Sequence, residues 1–217
     1  MASAGPVECS GMRTRGRQWE GSRPWKRAGG VAACALALSL LGPPALAADD
    51  SRGWTALLEG GHVALIRHGN APPGYGGDPP GFKIDDCKTQ RNLDELGRQQ
   101  ARALGDAFRS RGVRVERVLS SPWCRCLETA RLMAVGSVES TWALVPDMAP
   151  AATVRLTELK QLVSGWRGPG TLVLVTHALT VRALLGFLPL QGETAVLKPR
   201  SGDGAGGDLV GLIAAPE

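Results

Sequence analysis

The chain lacks an apolar run long enough to cross a bilayer, shows no internal repeat, and carries only three histidines in 217 residues. The apolar run near the N-terminus, Val31 to Leu41, falls well short of the ~20 residues that a spanning helix needs. Metal-binding capacity is thin as well. Of the five cysteines only Cys87, Cys124 and Cys126 lie beyond residue 47, with no histidine beside them in sequence, a poor set for structural zinc. A basic footprint for nucleic acid is also missing. Of the formal charge of +5, four sit at the N-terminus: residues 1–47 hold six of the 25 basic and two of the 20 acidic residues, leaving 19 against 18.

What those first 47 residues do contain is a processing pattern. Arg23 to Arg27 is basic, Val31 to Leu41 is apolar, and Ala45-Leu46-Ala47 is a small-x-small cleavage signal before Ala48. The pattern predicts a secretory signal peptide and leader over 1–47, and a single domain over 48–217 in the periplasm or outside the cell, with no stable membrane span after cleavage. The stretch before the apolar run is long for a signal, which makes Met12 an alternative start. Two other readings are a retained anchor and a lipoprotein, the latter opposed by Cys34, which precedes most of the apolar run instead of following it. In an oxidising compartment the remaining cysteines read as a disulfide from Cys87 to either Cys124 or Cys126, or as a Cys87 that simply packs.

Chemistry concentrates in three stretches. In Gly61-His62-Val63-Ala64-Leu65-Ile66-Arg67-His68-Gly69-Asn70 a β-branched run ends in an arginine, a histidine and a glycine. A short apolar run bounded by glycines suits a strand covered on both faces of a parallel sheet, and ligands gather at the carboxyl ends of such strands. Ser120-Ser121-Pro122-Trp123-Cys124-Arg125-Cys126-Leu127-Glu128-Thr129-Ala130 follows the apolar run Val115 to Leu119 and opens a helix, placing Arg125 where anions are attracted. Thr171-Leu172-Val173-Leu174-Val175-Thr176-His177-Ala178 is a second apolar strand ending in histidine.

In order and separation these stretches resemble the histidine phosphatase superfamily, the phosphoglycerate mutase-like proteins, and most of all its exported bacterial phosphatases. The resemblance covers Gly60 to Val196. It implies His68 as nucleophile, Arg67 and Arg125 as phosphate clamps, and His177 as the second histidine that steadies the transferring group, with a phosphohistidine intermediate and no metal or cofactor. The two arginines also disfavour protonation of His68, keeping its lone pair available. One branch of the superfamily has an aspartate directly after the second histidine; here that residue is Ala178. The other branch uses a carboxylate between the second arginine and the second histidine, for which Asp147 is the first choice and Glu139 and Glu158 weaker ones.

The intervening segments predict the scaffold. Asn70 to Lys88 is a loop rich in proline and glycine, with Asn70 a possible phosphate donor and Tyr75, Phe82 and Lys83 possible substrate contacts. Leu93 to Arg111 has helical spacing, with Gly112 as its stop. Strands are expected over Val113 to Ser120 and Val138 to Val145, helices over Trp123 to Met133, Ala151 to Ser164 and Leu179 to Phe187, and two last strands over Gly192 to Leu197 and Leu209 to Ile213. The alternation predicts an α/β fold: a three-layer α/β/α sandwich with a mainly parallel sheet and an antiparallel edge. His62 reads as a structural histidine. The expected function is an exported phosphomonoesterase acting on a small phosphorylated molecule. The alternatives are a non-catalytic anion-binding envelope protein and a phosphohistidine phosphatase, suggested by the lack of an evident acid.

Overall fold

In parallel strands the hydrogen-bond ladder aligns the carboxyl ends, so residues just past those ends meet. The computed structural model describes residues 46–72, 77–146, 152–202 and 206–216, all within the compact unit spanning 42–217. Among them six strands form one sheet in the order β3-β2-β4-β1-β5-β6, with β1 Val63–Arg67, β2 Val115–Ser120, β3 Val138–Ser140, β4 Thr171–Thr176, β5 Thr194–Pro199 and β6 Gly207–Ile213. The pairs β1–β4, β2–β4 and β2–β3 are parallel; β5 runs antiparallel to β1, and β6 to β5. Both last strands are therefore the expected antiparallel edge.

The strand sequences explain the layering. Alternate residues of β1 face opposite ways. Ala64 and Ile66 join a core with Leu57 of α1 (Leu46–Glu59), Leu104 and Phe108 of α2 (Glu95–Ser110), and Cys126, Ala130 and Met133 of α3 (Cys124–Met133). Val63 and Leu65 join a second core with Leu159 and Val163 of α4 (Ala152–Ser164) and Val181 of α5 (Ala178–Leu185). All six residues of β4 are buried, as a central strand covered on both faces requires.

Two segments differ from expectation. Residues 138–145 divide after Ser140: the Thr141 side chain accepts from Ala143 N and caps a 3-10 turn, Trp142–Leu144, which ends the strand. Helix α1 was not anticipated, because its residues straddle the expected boundary between leader and domain. Its buried Ala56 and Leu57 pack toward the sheet, and Asp50 Oδ1 accepts from Ala214 N at 2.8 Å just past β6.

Candidate active site

The register decides which side chains meet. Arg67 pairs with Thr176, and Ser120 with Val175, so His68, Ser121 and His177 each lie one residue beyond the ends of three adjacent strands. The ladder continues into them: His68 N donates to Thr176 O at 3.0 Å and Ser121 N to Val175 O at 2.9 Å. The His68 and His177 rings stand edge to face with centroids 5.6 Å apart. Both histidines are buried, as is Arg125 in the first turn of α3.

Hydrogen bonding fixes what each imidazole can do. His68 Nδ1 lies 2.8 Å from Gly69 O, and a carbonyl only accepts, so Nδ1 carries the proton and Nε2 keeps the lone pair. Burial, then the charge of Arg125, outweighs that hydrogen bond and lowers the His68 pKa to about 3. His177 Nδ1 lies 3.4 Å from Arg125 Nη2, a pure donor, so Nε2–H donates to Ser121 Oγ at 2.8 Å. Burial and the same arginine hold His177 well below the ordinary histidine range. Two neutral imidazoles thus sit among cations.

Arginine supplies those cations, and there are three. Arg67 Nη1 donates to Pro189 O at 2.7 Å, and Arg125 Nη1 to Asp78 Oδ1 at 2.8 Å and Arg91 O at 3.2 Å. Arg91 Nη1 in turn donates to Ala71 O at 2.9 Å. The pKa values of both Arg67 and Arg91 are lowered, chiefly by burial, with neighbouring guanidinium charges adding to it. Among the described residues five buried side-chain polar atoms lack a partner, and three of them are the Nε atoms of Arg67, Arg91 and Arg125. Buried donors are normally satisfied, and an oxyanion is the acceptor that suits guanidinium.

Sequence reasoning missed Arg91 and Asp78. Asp78 Oδ1 accepts from Arg125 Nη1 and from Arg91 N at 2.9 Å, and its Oδ2 accepts from Trp123 Nε1 at 2.9 Å. Burial pushes this carboxyl up, but the Arg125 hydrogen bond, the Arg91 amide and the Arg125 charge prevail and hold it below its ordinary value. The available signal was positional. Asp78 and Arg91 flank Cys87, whose disulfide to Cys124 lies beside Arg125, and this pairing settles the choice between the two cysteines. Cys126 stays a free, buried thiol that burial pushes up to about 12.

The remaining expectations sort by location. Asn70 Nδ2 donates to Asp94 Oδ2 at 2.6 Å, which ties it to the N-cap of α2. Thr129 Oγ1 accepts from Gly69 N and donates to Arg125 O, bracing the loop after His68 and the start of α3 together. Gly69 serves a close approach: an added Cβ would lie 2.6 Å from Gly97 O, and one on Gly97 would lie 2.1 Å from Asn70 O. His62 is structural, its Nδ1 donating to Gly60 O at 2.7 Å. Glu139 is exposed and pairs with Arg117, and Glu158 is exposed on α4. Asp147 and Tyr75 lie outside the described residues.

A mixed six-stranded sheet between two helical layers, with arginines and histidines at the ends of its parallel strands, is the phosphoglycerate mutase-like fold. Residues 63–146 match the model of the histidine phosphatase superfamily (branch 1). Three solved structures share the fold. The Entamoeba histolytica phosphoserine phosphatase in complex with 3-phosphoglyceric acid has a TM-score of 0.52 at 15% identity, over 71% of this chain and 97% of that one. Bacillus stearothermophilus YhfR has a TM-score of 0.52 at 17% identity, over 69% and 95%. The protein histidine phosphatase SixA complexed with tungstate has a TM-score of 0.50 at 19% identity, over 70% and 95%. No curated protein sequence matches the chain.

Proposed function

We propose that the protein is a phosphomonoesterase that works through a phosphohistidine on His68 and needs no metal. The observation that carries this reading is the fixed His68 tautomer, with its lone pair on Nε2, beside three guanidinium groups whose buried Nε donors lack partners. Catalysis of phosphoryl transfer is mostly alignment and charge neutralisation, and this site supplies both. Nε2 attacks phosphorus, the bond from phosphorus to the ester oxygen breaks, and the alkoxide departs, taking a proton from water. Water then attacks the phosphohistidine, releasing inorganic phosphate and returning the lone pair to Nε2. A bound phosphate dianion adds negative charge beside His177 and favours its proton uptake at Nδ1, turning that nitrogen into a donor.

We further propose an exported location, supported by the Ala45-Leu46-Ala47 signal and by the Cys87–Cys124 disulfide, a bond that persists in oxidising compartments. A second reading, hydrolysis of phosphoramidates such as phosphohistidine, is favoured by one observation: Asp78, the carboxylate hydrogen-bonded to Arg125, is held below its ordinary value, which favours its ionised form over a proton donor. The test is hydrolysis of p-nitrophenyl phosphate and of a phosphoramidate in the presence of chelator, beside His68→Ala. Turnover lost in that variant, with a trapped acid-labile phosphoprotein in the wild type, is the expected result. No turnover of either compound by folded, oxidised protein overturns the reading in favour of non-catalytic anion binding.

A further inference from the structure

The chain has ten Phe, Trp and Tyr residues, and three of them converge beside the second histidine. The Trp123 ring stands edge to face on His177 at 5.6 Å and 83°, and on Trp142 at 6.1 Å and 80°. Phe82, from the loop after β1, leans on Trp123 at 5.7 Å. Trp142 is 52% exposed and Phe82 36% exposed, so the outer members of this wall face solvent while the inner one touches the catalytic ring. Isolated exposed aromatics are ordinary; a contiguous set that begins at the phosphate seat is not. The wall is also held in register with that seat. One carboxylate, Asp78, accepts from Trp123 Nε1 with one oxygen and from Arg125 Nη1 with the other, so the indole plane and the phosphate clamp share one anchor.

We propose that Trp123, Trp142 and Phe82 form a leaving-group subsite, and that the substrate class is phosphomonoesters, or the corresponding phosphoramidates, whose leaving group is a planar aromatic ring. This rests on the phosphatase reading above and deepens it. A phosphoryl group seated on Arg125 beside His177 places its substituent within reach of Trp123, and a flat apolar ring gains offset or edge-to-face contact there that a small polar group does not. Phe82 is brought to the wall by the same loop that delivers Asp78, which the Cys87–Cys124 disulfide fastens to the start of α3.

The experiment compares kcat/KM for benzyl phosphate and methyl phosphate, two esters whose leaving alkoxides are of similar basicity, in the wild type, Trp142→Ala and Trp142→Phe. The expected result is a wild-type preference of about tenfold or more for the benzyl ester, falling toward one in Trp142→Ala and largely restored in Trp142→Phe. Melting temperatures confirm that the variants fold. Turnover of both esters with a wild-type ratio near one, or a ratio unchanged in Trp142→Ala, overturns the subsite and leaves the phosphatase reading intact. If neither ester turns over, the phosphatase reading is decided by p-nitrophenyl phosphate and the phosphoramidate as above, and the subsite is judged by calorimetric binding of benzylphosphonate against methylphosphonate. Equal affinities overturn it.

Discussion

Acidifying the protein from about pH 7.5 to about pH 5 is expected to remove about 2 kcal/mol of folding stability through His68 alone. The folded-state pKa of about 3 lies below the ordinary histidine value of 6.5, so the unfolded chain takes up the proton first. Stability from this group is complete above 6.5 and is lost as the pH falls toward 3, approaching a slope of about 1.4 kcal/mol per pH unit. His177, also held well below its ordinary range, acts in the same direction and adds to the loss. The carboxylates held below their ordinary values, Asp78 among them, are lost at lower pH still, so the window from 6.5 to 5 isolates the histidines. Urea unfolding at the two pH values, with the disulfide intact and no phosphate in the buffer, measures the loss directly. In His68→Asn the loss between the two values should shrink by about 2 kcal/mol. A loss of the same size in variant and wild type would refute the assignment of a buried, neutral nucleophile.

Two further outcomes follow from the site. Arg91→Gln removes a cation and a buried donor, and kcat/KM for any turned-over phosphomonoester is expected to fall about 100-fold, some 3 kcal/mol of transition-state binding; a change of less than threefold in a folded variant would remove Arg91 from the clamp. Reducing Cys87–Cys124, which spans a sequence separation of 37, is expected to lower unfolding free energy by about 4 kcal/mol on chain-entropy grounds, read as a drop in the urea midpoint. An unchanged midpoint would show that the loop carrying Asp78 is ordered without the bond.

Arg67, His68, Arg125 and His177 were legible because each sits where local sequence alone marks a strand end or a first helical turn. The strand register then brings them together without further information. Asp78 and Arg91 were not legible, since both come from a loop whose path is set by a disulfide and by hydrogen bonds from Arg125, Arg91 N and Trp123, all long-range. The apolar run Val138 to Val145 reads as one strand by periodicity, yet Thr141 diverts it, and the competing local hydrogen bond is invisible to a period of two. Gly69 serves the packing of the loop on α2, a contact across the fold that no local pattern announces.

That contact between Gly69 and Gly97 bears on how the reaction moves. The backbone after His68 is pressed on α2, its amide is held by Thr129, and the imidazole is tied to Gly69 O, so His68 is fixed from three sides. On the proposed mechanism the transferring phosphoryl group then does the travelling, crossing from ester oxygen to a nitrogen held in place.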